Sequence, residues 1–269
     1  MRLISAMIGA VLAATWMLNP PLAVADSPTQ ISGNWKSYLQ NPYEVYLDMW
    51  GLNIPNRESL KSNVDMLVWP SEFPNNTKIR WDVTPDPDGL GVNGYLQLAY
   101  GNYDDNAFAI PGGPKQIKNI TAMAIDADWV YAGDPAGMLS ETWLTSTSHA
   151  LGGNSAGSLA EVGFASKVPA SDLDWVNGLP TVGTFSDSKG VTWTVKVKES
   201  NQQGSPYYYA YRDGLVDHHG TLDFKSYFTF LVGAGKLTGN EYFNGVAYGV
   251  EPSSGAASLT ITRFTPTYA

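Results

Sequence analysis

The sequence of 269 residues contains no cysteine. No disulfide framework is possible, so core packing and hydrogen bonds must hold the fold, and a chain of this length can bury enough surface to do so. Basic residues are also scarce. Sixteen Lys and Arg against 25 Asp and Glu leave a net charge of −9, which excludes nucleic acid or an anionic membrane surface as partners held by counterion release. Beyond the N-terminus there are no long apolar runs, charge blocks, repeats or low-complexity linkers. The one apolar run, Leu3 to Leu18, follows Arg2 and leads to Ala23-Val24-Ala25. That is the layout of a secretory signal with a small-residue cleavage site, too short for a spanning helix. Residues 1–25 are expected to be removed, leaving 26–269 as a single domain of a secreted protein, extracellular or periplasmic.

Aromatic rings are plentiful: nine Trp and fifteen Tyr, where charged residues make up only 15%. Rings supply core bulk in β-proteins, and a flat ring with a polar tip is also what a pyranose face stacks on. Strand signals recur along the chain, among them "YEVYLDMW", "KIRWDV", "GYLQLAYG", "LSETWLTST", "LAEVGFASKV", "YYYAYR" and "GVAYGVE". They alternate, favour β-branched and aromatic residues, and are separated by Gly, Pro, Asn and Asp clusters. "SDSKG" reads as a hairpin turn. Helical periodicity occurs once, over Thr221 to Gly235, where Leu222, Phe224, Tyr227, Phe228 and Leu231 share a face. Ten or more strands with one short helix predict an all-β jelly-roll sandwich of two curved antiparallel sheets.

Alternate residues of a strand face opposite sides, so each acid can be read with its neighbours. Glu251 shares a predicted face with Phe243, Gly245, Ala247 and Gly249; Glu161 shares one with Gly157, Gly163 and Ala165, while Val162, Phe164 and Val168 point into the core. Two glutamates with small neighbours suit the wall of an open cleft. Glu141 lies on the face of Trp143, and Asp48 on the face of Tyr46 and Trp50. An acid beside a ring is a pairing that holds a sugar. Singly, each of these reads as a solvated strand residue; together they outline a site.

The run "YFNGVAYGVEPSSGAASLTITRF" resembles the end of glycoside hydrolase family 12 endoglucanases, where a G-x-E-P stretch carries the acid/base glutamate. "YEVYLDMWG", "VNGYLQLAYG", "ITAMAIDADWVYAG" with "LSETWLTS", and "GTFSDSKGVTWTV" resemble further family motifs in the same order, from about Asn41 to Ala269. The resemblance implies a retaining endo-β-1,4-glucanase with a concanavalin-like jelly roll, acting on cellulose-like, mixed-linkage or xyloglucan chains. It assigns Glu161 as nucleophile, Glu251 as acid/base, and Glu141 as an auxiliary carboxylate bonded to the nucleophile. Asp48 and Trp50 fall at sugar-holding positions, and Tyr46 and Trp143 lie beside these acids as further substrate contacts. No cofactor or metal is implied, and the protein is expected to act as a monomer on a polysaccharide.

Retention asks for carboxyls about 5–5.5 Å apart, with Glu161 ionised, Glu251 raised in pKa and a mildly acidic optimum. Where the family usually reads E-x-M-x-W, this chain has Glu161-Val162-Gly163-Phe164-Ala165, which predicts a wider cleft. Glu141 stands for the usual Asp, and Asp48 where Asn is common. The rival readings are a related family 11 xylanase and a glycan-binding jelly roll without turnover. His218-His219 reads as structural, since adjacent histidines on a strand or turn point apart. Asp86 and Asp88 read as turn residues, and "NNT" and "NIT" as glycosylation acceptors in a eukaryotic host only.

Overall fold

The computed structural model describes residues 26–54, 57, 60–84, 92–133, 136–149, 152–212 and 217–269. The signal-like segment and Asp86 and Asp88 lie outside these. Strands are numbered in chain order. One sheet has six strands, in the order β1 (Thr29–Ser32), β4 (Ser62–Val68), β5 (Thr77–Val83), β17 (Gly255–Tyr268), β8 (Met123–Gly133) and β14 (Gly220–Leu222). The larger sheet runs β11 (Thr181–Ser186), β12 (Thr192–Lys198), β13 (Tyr207–Tyr211), β10 (Ser158–Lys167), β9 (Gly137–Thr145), β16 (Gly245–Glu251), β6 (Tyr95–Gly101), β3 (Tyr43–Asp48) and β2 (Ser37–Gln40). Two short strands, β7 (Lys115–Gln116) and β15 (Tyr242–Phe243), continue it beside β9. Pairing is antiparallel except for β10 with β13, which run parallel.

The core fills the space between the sheets. Val162 and Phe164 of β10, Val246, Tyr248 and Val250 of β16, and Leu96 and Leu98 of β6 all join one buried apolar cluster with Ile79 and Trp81 of β5 and Leu259 and Ile261 of β17. This is the sandwich that strand alternation predicts. The hairpin at "SDSKG" joins β11 to β12, and Asp187 fixes it by accepting from the backbone N–H groups of Lys189 and Val191 and from the Trp193 indole, each at 2.9 Å.

The predicted helix is α2 (Phe224–Gly233), with Phe224, Tyr227, Phe228 and Leu231 buried. It starts later than the pattern suggests because Thr221 and Leu222 pair with β8, and Asp223 then caps it by accepting from the Ser226 N–H. A second, shorter helix, α1 (Leu173–Gly178), lacks an apolar stripe long enough to be seen in sequence.

Two irregularities shift residues from their predicted faces. The pairing of β10 with β9 slips between Ala165 and Lys167, so Val168 joins the smaller cluster on the outward face rather than the core. Phe243 pairs with Leu144 in β15 and lies in the core, because the chain breaks at Asn244 before β16 begins. Gly157 sits in a 3-10 turn ahead of β10. A one-residue insertion flips everything beyond it, and parity counted straight through such a point fails.

Candidate active site

The outward face of the larger sheet collects the predicted acids. Glu161 of β10 lies opposite Trp143 of β9, and Gly163 opposite Glu141. On the other side of β9, Glu141 lies opposite Ala247 of β16, and Glu251 ends that strand beside Gly137. Further along the sheet, Tyr46 and Asp48 of β3 face out in register with Gln97 and Tyr95 of β6. Trp50 lies just past β3 in a 3-10 turn rather than on the strand, and packs against the same cluster as Trp143. All seven predicted site residues therefore share one face, with Glu161 and Glu251 on the two strands that flank β9.

Glu141 and Glu161 are buried, Glu251 is half-buried at the end of its strand, and the three act on one another. Burial is the largest influence on Glu161 and pushes its carboxyl well above the ordinary range; the charges of Glu141 and Glu251 add to the rise. Asn201 opposes it, donating to Glu161 Oε2 at 2.8 Å, as does the Lys198 charge. Glu251 is likewise pushed well up, by burial and then by Glu141 and Asp172, with only Lys198 opposing. Burial raises Glu141 to about 7 against the hydrogen bonds of Tyr207 and Tyr103. Burial and mutual repulsion thus oppose ionisation of all three acids, while the Asn201 bond works toward the ionised Glu161 that was expected. The auxiliary role also changes in form: Glu141 is held by the hydroxyls of Tyr207 and Tyr103, and its tie to Glu161 is electrostatic. Asp48 is raised to about 7 by burial and the Asp104 charge, and Tyr46 to about 12 by burial.

The small residues have a different use from the one expected. A Cβ on Gly163 would lie 2.8 Å from the Tyr207 hydroxyl and 3.1 Å from Glu141 Cγ. The space left by the family's large residue on β10 is thus filled from β13, and Gly163 does not widen the cleft. At Gly249 a Cβ would come within 2.8 Å of Gln97 Cα, and at Gly245 it would strike the Asn102 backbone. Those glycines let neighbouring strands approach closely, as a tightly curved sheet requires.

Several contributors went unread in the sequence. Tyr207, Tyr209 and Tyr211 alternate on β13 and are buried in the outward cluster with Tyr95 and Tyr103; the spacing in "YYYAY" is the signal that would have found them. Gln97 is buried with neither end of its amide bonded, and the Trp143 indole N–H is also buried and unbonded, so both retain hydrogen-bonding capacity for a ligand. Glu44 shares the face but is taken up structurally, accepting from the Ala107 N–H at 2.7 Å. His218 is buried against Trp193, and His219 stacks on Trp129 at 4.4 Å. A separate groove of about 510 Å³ on the six-stranded sheet is lined by Asp65, Arg80 and Asp82; Arg80 is tied to Asp65 by two hydrogen bonds, and none of the three glutamates reaches it.

No family model matches the sequence, and no curated protein matches it. Solved structures do. Endoglucanase 3 of Trichoderma harzianum, from glycoside hydrolase family 12, aligns over 90% of this chain and 98% of its own with TM-score 0.68 and 17% identity. A family 12 xyloglucanase from Bacillus licheniformis aligns over 90% and 100% with TM-score 0.67 and 13% identity. The endoglucanase cel12A of Rhodothermus marinus aligns over 90% and 99% with TM-score 0.67 and 17% identity. The fold is that of the family 12 glycoside hydrolases, as the motifs imply.

Proposed function

We propose that the protein is a secreted, retaining endo-β-1,4-glucanase. The observation that carries this reading is the placement of Glu161 and Glu251 on strands flanking β9, on one outward face, near enough that the charge of Glu251 raises the Glu161 carboxyl. Among the described residues Glu161, and not Glu251, receives an amide hydrogen bond, from Asn201, which favours its ionised form and suits a nucleophile. Among the described residues Glu251 receives no such bond, and burial and like charge push its carboxyl up, which suits an acid.

Glu161 attacks the anomeric carbon while Glu251 gives its proton to the leaving glycosidic oxygen. Glu251 then takes a proton from the water that releases the glycosyl-enzyme. Glu141, fixed by two tyrosines, keeps a second exchangeable proton beside the ionised nucleophile. Asp48, Tyr46, Trp50 and Trp143 offer hydroxyl acceptors and stacking faces to a neutral sugar chain. The N-terminal signal assigns the enzyme to the extracellular or periplasmic space, where it acts as a monomer without cofactor.

Release of reducing sugar from cellulose, lichenan, xyloglucan and xylan tests the reading. β-1,4-Glucans are expected to be cleaved, and Glu161→Ala to abolish cleavage. Binding without product from any glucan would leave a glycan-binding jelly roll, and a marked preference for xylan would favour the family 11-like alternative.

A further inference from the structure

Two tryptophans stand on opposite sides of the carboxylates. Trp50 follows β3 on one side. On the other, α1 lies against β12 and β13: the Tyr211 hydroxyl donates to Asn177 Oδ1 at 3.0 Å, and Lys196 Nζ donates to the carbonyls of Asn177 and Leu179 at 3.3 and 3.1 Å. Val176 is buried in the outward cluster and Leu173 packs against it. This short helix therefore has a fixed seat on the cleft sheet. Trp175, which it carries, is 47% exposed and meets Tyr209 edge-on at 6.0 Å. Asp172, at the start of α1, is near enough to Glu251 for its charge to act on that carboxyl.

Single exposed apolar side chains are common, but Trp175 is carried by a helix seated on the cleft face, where an indole offers a flat stacking surface. The strand order runs β3, β6, β16, β9, β10, β13, β12, so a polysaccharide laid across the sheet from Trp50 passes the three glutamates and leaves over α1. We propose that Trp175 is a sugar-stacking platform on the leaving-group side of the cleft. A pyranose of a β-1,4-linked glucan, on the far side of the scissile bond, stacks on its indole while Asp172 accepts from a hydroxyl. The proposal rests on the glucanase reading and deepens it. None of the stretches that resemble family motifs includes residues 169–178.

The test uses the full chain with Trp175→Ala and Trp175→Phe, assayed on β-1,4-linked gluco-oligosaccharides of three to six units. Trp175→Ala is expected to raise KM for the longest roughly three- to tenfold, as for loss of one aromatic contact. It should also move the favoured cleavage point, and Trp175→Phe should keep most of both. An unchanged unfolding midpoint separates this from a folding defect, and Trp175→Phe carries the test if Trp175→Ala unfolds. A wild-type chain that cleaves these oligosaccharides while both variants match it in KM and cleavage point overturns the platform alone. A wild-type chain that neither binds nor cleaves any of them overturns the glucanase reading and the platform with it.

Discussion

The two faces of the larger sheet are built from the same strands and by different rules. Strand β10 gives Val162 and Phe164 to the core and Glu161 and Gly163 to the cleft; β16 gives Val246 and Tyr248 to one and Ala247 and Glu251 to the other. On the core face each position contributes bulk largely by itself. Phe164 meets Trp193, Phe224 and Tyr227 at ring distances of 4.8 to 5.0 Å, and any large apolar residue there would be read as core. On the cleft face positions gain meaning only in pairs across strands: Gly163 matters because Tyr207 fills its place, and Glu141 because two tyrosines from elsewhere hold it. The core face stabilises the fold and the cleft face spends some of that stability on buried acids.

Substitutions on the two faces should therefore separate activity from stability. The largest expected effect is at Glu161: Glu161→Gln should lower kcat by roughly 10⁴- to 10⁶-fold, as for loss of a nucleophile, with no loss of thermal stability. Glu251→Gln should cost roughly 10²- to 10⁴-fold, as for loss of general acid–base catalysis. On the core face of the same strand, Phe164→Ala should cost about 3–5 kcal/mol of stability, measured by denaturant unfolding. A variant Glu161→Gln that kept full activity would remove the nucleophile assignment while leaving the fold untouched.

The core face was legible in the sequence and the cleft face only in part, for the same reason. Alternation along a single strand identifies Val162, Phe164, Val246 and Tyr248 without knowledge of the neighbouring strands. It also puts Glu161, Glu141 and Glu251 each on the outward face of its own strand, while their nearness to one another was read from the family resemblance. It fails at Val168 and Phe243, where pairing slips by one residue. Cross-strand partners were invisible. Nothing in "EVGFA" announces that Tyr207, 44 positions beyond Gly163 in a parallel neighbour, occupies the vacated space, so the small residue was read as open cleft.

The buried acids make a further test with a definite sign. Glu141 is raised from 4.5 to about 7 in the folded chain, so the native state holds its proton more tightly than the unfolded state. The stability it contributes is complete below pH 4.5 and is lost as pH rises through 7. Glu141→Gln mimics the neutral form at every pH. It should match the wild type in unfolding midpoint near pH 4 and exceed it at pH 8, by about 3 kcal/mol if the whole shift is realised. Equal stability at both pH values would mean that folding does not raise the Glu141 carboxyl, and the account of its burial would fall.

The smallest effect tests the cross-strand pairing itself. Gly163→Ala adds one methyl group 2.8 Å from the Tyr207 hydroxyl and 3.1 Å from Glu141 Cγ. On an open cleft floor that change would be harmless. Against a buried tyrosine bonded to Glu141 it must displace the ring or the carboxylate, at about 1–3 kcal/mol, and activity should fall about tenfold as Glu141 moves relative to Glu161. Tyr207→Phe removes the nearest oxygen and gives back part of the room, at the cost of one hydrogen bond to Glu141. If the two side chains compete for one space, the double variant should be less impaired than the product of the single effects, in both unfolding midpoint and kcat/KM. If the effects simply multiply, Tyr207 does not occupy the place of the missing side chain, and the wider cleft first expected from Gly163 returns as the better description.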